Sequence, residues 1–118
     1  MGQRIAIVGS RRRTDAATVD AIVAALPPDA IVVSGGAKGP DSWAKAAALR
    51  RGLGFREFLP EMDGATTYVD RTKRYYARNQ AIVDHADAVV ALVSPDRKGG
   101  TEDTVRRAER KGIPVTLA

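Results

Sequence analysis

Short apolar runs recur along the chain at Ile5–Val8, Ala30–Val33, Phe55–Leu59, Ala88–Val93 and Pro114–Leu117. They are rich in Val and Ile and are bounded by Gly, Pro, Ser or Asp. This pattern predicts strands, mostly buried on both faces. The longer segments between them carry helical spacing. Ala16–Leu26 sets Val19, Ile22, Val23 and Leu26 on one face, and Asp41–Arg51 is alanine-rich with Trp43, Ala47 and Leu49 interspersed. Asp70–His85 carries Tyr75, Tyr76, Ile82 and Val83, and Thr101–Lys111 carries Val105 and Ala108 with basic residues outside. Asp15 or Thr14 can cap the first helix and Pro27-Pro28 ends it. Gly52 and Gly112 suit the turns that close the second and fourth helices. Strict βαβαβαβαβ alternation predicts a parallel sheet covered by helices on both faces, and right-handed crossovers make a doubly wound α/β sheet the simplest topology. One longer loop, Pro60–Thr67, interrupts the alternation.

At 118 residues this is one domain's worth of sequence, taken as residues 1–118. A composition 44% hydrophobic and 28% charged excludes a wholly disordered chain. No apolar run approaches the ~20 residues of a membrane span, and the start is too short an apolar stretch for a signal peptide, so a cytoplasmic protein with no membrane partner is expected. The absence of cysteine excludes disulfide and thiolate chemistry. A single histidine, His85, argues against a histidine zinc site and leaves a carboxylate magnesium site open, with no other cofactor indicated. The net charge is +5, and 14 of the 19 basic residues are arginine. Arginine suits bidentate contacts to phosphate, which tilts the reading toward phosphorylated ligands or nucleic acid over a merely solvated basic surface.

In an open parallel sheet, ligands bind beyond the carboxyl ends of the strands. Four such places stand out. After the first strand come Gly9, Ser10 and Arg11, where amides and a guanidinium can meet an anion. After the second come Ser34, Gly35, Gly36 and Gly39, which permit a backbone nest, followed by Asp41, an N-cap or a site carboxylate. On the third helix Arg71, Arg74 and Arg78 share a face, with Asn79 following; a solvated stripe is the alternative. Tyr75 and Tyr76 read as packing residues rather than stacking platforms. After the fourth strand, Gly99, Gly100 and Thr101 open a helix, with Thr101 as its cap and Glu102 and Asp103 in its first turn, where acids suit the helix dipole. Neither the Walker A nor the G-x-G-x-x-G spacing is present.

Assembled in order, these residues resemble the SLOG superfamily of Rossmann-like nucleotide-binding domains, and within it the small YspA/cpYpsA-related family. The resemblance is carried by Ile5–Arg11, Val32–Ala44, Arg78–Val83, Ala86–Val90 and Gly99–Thr104. More distant members are the lonely-guy phosphoribohydrolases and DNA-processing protein A. The resemblance implies a sheet ordered 3-2-1-4-5, a nucleotide-derived ligand near the ends of strands one and four, and a homo-oligomer. Carried over, Gly9, Ser10 and Arg11 match the first loop; Ser34, Gly35, Gly36 and Gly39 the second; Arg78 and Asn79 the pair before strand four; Gly99, Gly100 and Thr101 the phosphate turn. One departure stands out. The phosphoribohydrolases place a catalytic glutamate where this chain has Thr104, which is neutral and cannot replace a carboxylate. Asp103 is the first substitute for that carboxylate and Asp41 the second.

The leading expectation is therefore a domain that binds a nucleotide-like phosphorylated ligand, as sensor or enzyme. The alternatives are an N-glycoside hydrolase acting on nucleoside 5′-monophosphates, and a nucleic-acid-binding protein.

Overall fold

The computed structural model describes residues 2–118. Its elements are β1 (Arg4–Gly9), α1 (Ala16–Ala24), β2 (Ile31–Ser34), α2 (Pro40–Arg51), β3 (Gly54–Glu57), α3 (Tyr68–Asp84), β4 (Ala88–Leu92), α4 (Gly100–Lys111) and β5 (Val115–Leu117). All strand pairings are parallel, and the sheet order is β3-β2-β1-β4-β5. The period-2 pleat sends alternate residues of the central strands to opposite faces. Ile5, Ile7, Val32 and Leu92 pack with Val19 and Val23 of α1 and Ala44, Ala47 and Ala48 of α2. Ala6, Val8, Val33, Val89 and Ala91 pack with Ile82 and Val83 of α3 and Val105 and Ala108 of α4. This is a doubly wound α/β fold.

The outer strands differ from the expectation of burial on both faces. β3 and β5 are short and largely exposed, because each is an edge strand with one neighbour. Helix boundaries also moved. α1 stops at Ala24, where the Leu26 amide donates to the Val23 carbonyl in a tightened last turn. Arg51 Nη1, from the neighbouring α2, also donates to the carbonyls of Val23 and Leu26. Asp15 is the N-cap residue, but its side chain makes no cap bond because it pairs with Arg13. α3 begins at Tyr68 because Thr67 caps it, its Oγ1 accepting from the Asp70 amide at 3.0 Å. The caps of α2 and α4 are Gly39 and Gly99, not Asp41 and Thr101.

Helix α2 presses hard on the end of β1. A Cβ built on Gly9 would lie 2.5 Å from Pro40 Cγ and 2.9 Å from Leu92 Cβ. The bare Gly9 therefore permits close helix-to-strand packing. Gly9→Ala is expected to lower stability by about 1–3 kcal/mol through overpacking, read by urea denaturation. An unchanged midpoint would show that β1 and α2 do not meet there.

Candidate functional site

The strand order reverses between β1 and β4, and the chain leaves their carboxyl ends toward opposite faces. A crevice at such a point is the usual ligand position in this architecture. A cavity of about 490 Å³ lies there. β1 and its loop contribute Gly9, Ser10, Arg11 and Arg12; α3 contributes Thr72, Tyr75, Tyr76, Arg78 and Asn79; the β4–α4 turn contributes Lys98, Gly99, Gly100 and Thr101, with Thr104 one turn on. From the β2–α2 loop only Ala37 reaches it, joined by Asp41 from the first turn of α2.

The β4–α4 turn is built to leave amides free. Gly99 has φ 108, a conformation that L side chains rarely adopt, and as the N-cap it offers no side-chain acceptor to the first amides of α4. A Cβ on Gly99 or Gly100 would meet nothing within 4 Å, so the turn fronts open space. The helix thus presents its positive end and unpaired donors to the cavity. Three cations share that wall. Arg11, Arg78 and Lys98 take part in no ion pair among the described residues, whereas Arg12 is paired with Asp96 at 2.7 Å. Asp41 is the one carboxylate among the lining residues.

The glycines of the β2–α2 loop have another task. The amides of Gly35 and Ala37 donate to Asp41 Oδ2 at 3.2 and 3.4 Å. The nest is present, and the anion in it is the chain's own carboxylate. Gly35 also has no room for a side chain: a Cβ would sit 2.8 Å from Arg78 Nη1 and 3.1 Å from Asp41 Oδ2. Ser34 is fully buried and its Oγ donates to the Ile7 carbonyl at 3.0 Å. Gly36 turns beside Leu59, and Gly39 caps α2 next to the β1 loop. None of Ser34, Gly35, Gly36 and Gly39 lines the cavity.

A chain of hydrogen bonds ties that loop to α3 and α4. Arg78 Nη1 donates to the Gly35 carbonyl and Nε to Asn79 Oδ1. Asn79 Nδ2 donates to Asp103 Oδ2 at 3.0 Å and, at 3.5 Å, to the Gly100 carbonyl. Arg107 Nε donates to the same Asp103 oxygen at 2.7 Å, and its Nη1 to Gln80 Oε1. Asp103 is buried within this network and is absent from the cavity wall. Glu102 is likewise turned away and paired with Arg97. Thr104 does line the cavity, and its hydroxyl donates to the Gly100 carbonyl.

Of the arginine stripe, only Arg78 reaches the cavity; Arg74 donates to the Glu61 carbonyl and Arg71 is exposed. Tyr75 and Tyr76, read from the sequence as packing residues, are 38% and 42% exposed and belong to the cavity wall. No helix among the described residues is long and apolar enough to cross a membrane. Among those residues no group of three His, Cys, Asp or Glu side chains converges. The protein wall would therefore offer a magnesium ion one carboxylate, Asp41.

Burial pushes the Asp41 carboxyl up, against the opposing effects of the amides around it and the Arg78 charge. Burial equally pulls the Arg78 guanidinium down, against the attraction of Asp41. Because the folded chain holds the Asp41 proton more tightly than the unfolded chain does, this group favours folding most below the ordinary carboxyl range, about pH 4. That advantage is lost as pH rises through the raised folded value. The stability of the wild type relative to Asp41→Asn is thus expected to be greater at pH 4 than at pH 7 in paired urea titrations. A difference independent of pH would contradict a desolvated carboxyl at this position.

No family model matches the chain, and none of the curated proteins matches it. Solved structures do. DNA processing protein A (DprA) from Streptococcus pneumoniae superposes with a TM-score of 0.81 at 23% identity, over 98% of this chain and 50% of that one. The C-terminal domain of the PF1911 hydrogenase from Pyrococcus furiosus superposes with a TM-score of 0.53 at 13% identity, over 98% of this chain and 90% of that one. At these identities the likeness is one of fold, and the chain spans about half the length of the DprA structure.

Proposed function

We propose that this chain is a SLOG-type domain that binds a nucleotide or nucleotide-derived phosphorylated ligand at the carboxyl ends of β1 and β4. The observation that carries the reading is the meeting of the uncapped, glycine-led N-terminus of α4 with Arg11, Arg78 and Lys98 around one cavity. Backbone donors and fixed cations in a crevice are what a phosphate group requires. The DprA-like fold and the motif order support the superfamily assignment. In this reading Asp103 is a positioning residue that holds Asn79 and Arg107, and Asp41 organises the β2–α2 loop.

Thermal shift with AMP, ADP, ADP-ribose, NAD and inorganic phosphate, with and without magnesium, tests the reading, since a ligand of the native state raises Tm by mass action. A selective rise for a nucleotide is expected. Arg11→Ala and Lys98→Ala remove exposed cations and should leave the ligand-free Tm nearly unchanged. Each should weaken nucleotide binding about tenfold or more, the scale of a hydrogen bond to a charged group. No rise at millimolar nucleotide would reject the reading. DNA binding that falls by roughly 0.9 log units per phosphate contact per decade of salt would put nucleic acid in its place, in keeping with the DNA-processing relative.

A second reading rests on Asp41. It is a cavity carboxylate whose proton affinity burial raises, as a general acid requires. N-glycoside hydrolysis of a nucleoside 5′-monophosphate would then run through Asp41 rather than Asp103. Mass spectrometry should detect free base from the wild type and none from Asp41→Asn. Absence of base from both discards hydrolysis.

A further inference from the structure

The cavity has two chemically different ends. At one end Asn79 touches the turn that opens α4, its Nδ2 3.5 Å from the Gly100 carbonyl. Tyr76, Tyr75 and Thr72 precede Asn79 by three, four and seven positions on the same helix, about 4–10 Å along its axis. There the wall is aromatic. Tyr75 and Tyr76 keep 38% and 42% of their surface exposed, although apolar rings of this size favour burial. Both rings are also braced. The Arg78 guanidinium carbon lies 5.7 Å from the Tyr75 centroid, and that of Arg107 lies 5.4 Å from the Tyr76 centroid. Arg107 is itself fixed by Asp103 and Gln80, and Arg78 by Gly35 and Asn79. Two aromatic faces held by anchored guanidinium groups form a pre-set surface, which limits the ordering cost of binding.

We propose that Tyr75 and Tyr76 are a stacking shelf for a planar heterocycle, and that the ligand is a 5′-phosphorylated nucleoside with its phosphate at α4 and its base on α3. This rests on the phosphate reading above and adds the recognition of the other end of the molecule. The helix supplies the spacing: the shelf stands about one turn from the phosphate end, a separation that a ribose spans. The cavity, about 490 Å³, falls in the size range of small-molecule sites. Stacking uses the π-face that every base has, so the shelf selects for a base over none more strongly than among bases.

Calorimetric titration with AMP and with ribose 5-phosphate separates the two ends. The wild type is expected to bind AMP at least about tenfold more tightly than ribose 5-phosphate, within the range of single-base stacking. In Tyr75→Ala/Tyr76→Ala the AMP affinity should fall to that of ribose 5-phosphate, with the latter unchanged. Tyr75→Phe/Tyr76→Phe should keep the preference. Equal binding of AMP and ribose 5-phosphate by the wild type overturns the shelf and leaves the phosphate reading standing. Binding of neither overturns both. If the alanine pair dissociates a sedimenting oligomer while the AMP preference persists, the rings belong to a subunit contact and the shelf is overturned.

Discussion

The buried carboxylate of Asp41 is the constraint on which the site depends. A charge placed in a protein interior is tolerated only when paired and hydrogen-bonded. Here the partners are the Gly35 and Ala37 amides and the nearby Arg78 cation. Satisfying Asp41 fixes the path of the β2–α2 loop. That path brings the Gly35 carbonyl to Arg78, and Arg78 then hands the restraint to Asn79, Asp103 and Arg107. Loop, α3 and α4 are tied together because each polar group in this chain shares a hydrogen bond with the next. An apolar residue at position 41 would leave the Gly35 and Ala37 amides unsatisfied, at a cost of the order of 1–3 kcal/mol for each stranded group, and would remove the charge that faces Arg78.

Topology decides what that network surrounds. With β1 central and the crossovers splitting to opposite faces after β1 and β4, no helix covers the sheet's carboxyl edge at that junction. Pro40 fills the space against Gly9 on one side, which closes the crevice toward α2 and leaves it open toward α3 and α4. The phosphate-type donors of α4 and the aromatic wall of α3 thus face the same volume for a reason of fold.

Much of this was legible in the residues. The short apolar runs located all five strands, and Gly52 and Gly112 closed their helices in left-handed turns. What could not be read was the assignment of partners across the fold. Asp41 resembled an N-cap because the sequence places it just past a glycine loop, whereas its acceptor oxygen points back over that loop. Asp103 looked available for catalysis because Asn79 and Arg107 stand 24 and 4 positions away, and only the packing of α3 on α4 joins them. Tyr75 and Tyr76 looked like core because aromatic residues on an amphipathic helix usually are, and only the cavity beside them leaves their faces exposed. Edge exposure of β3 and β5 follows from strand order, which alternation alone does not specify.

The same partner assignment gives the net charge a location. Around the crevice the acids are already engaged: Asp15 by Arg13, Asp96 by Arg12, Glu102 by Arg97 and Asp103 by Arg107. Each pair is worth little where it is exposed to solvent. Their collective effect is one of neutralisation. They remove carboxylates that would otherwise repel an anion and compete with it for guanidinium groups. Arg78 is balanced by Asp41, and the excess that remains at the mouth is Arg11 and Lys98, beside the positive end of α4. A net charge of +5 says only that the chain is basic; the pairing pattern is what turns part of that excess into a positive field inside one crevice. Low-dielectric walls of Val8 and Ile82 strengthen that field where a phosphate would sit, and Thr104 adds a hydroxyl without adding charge.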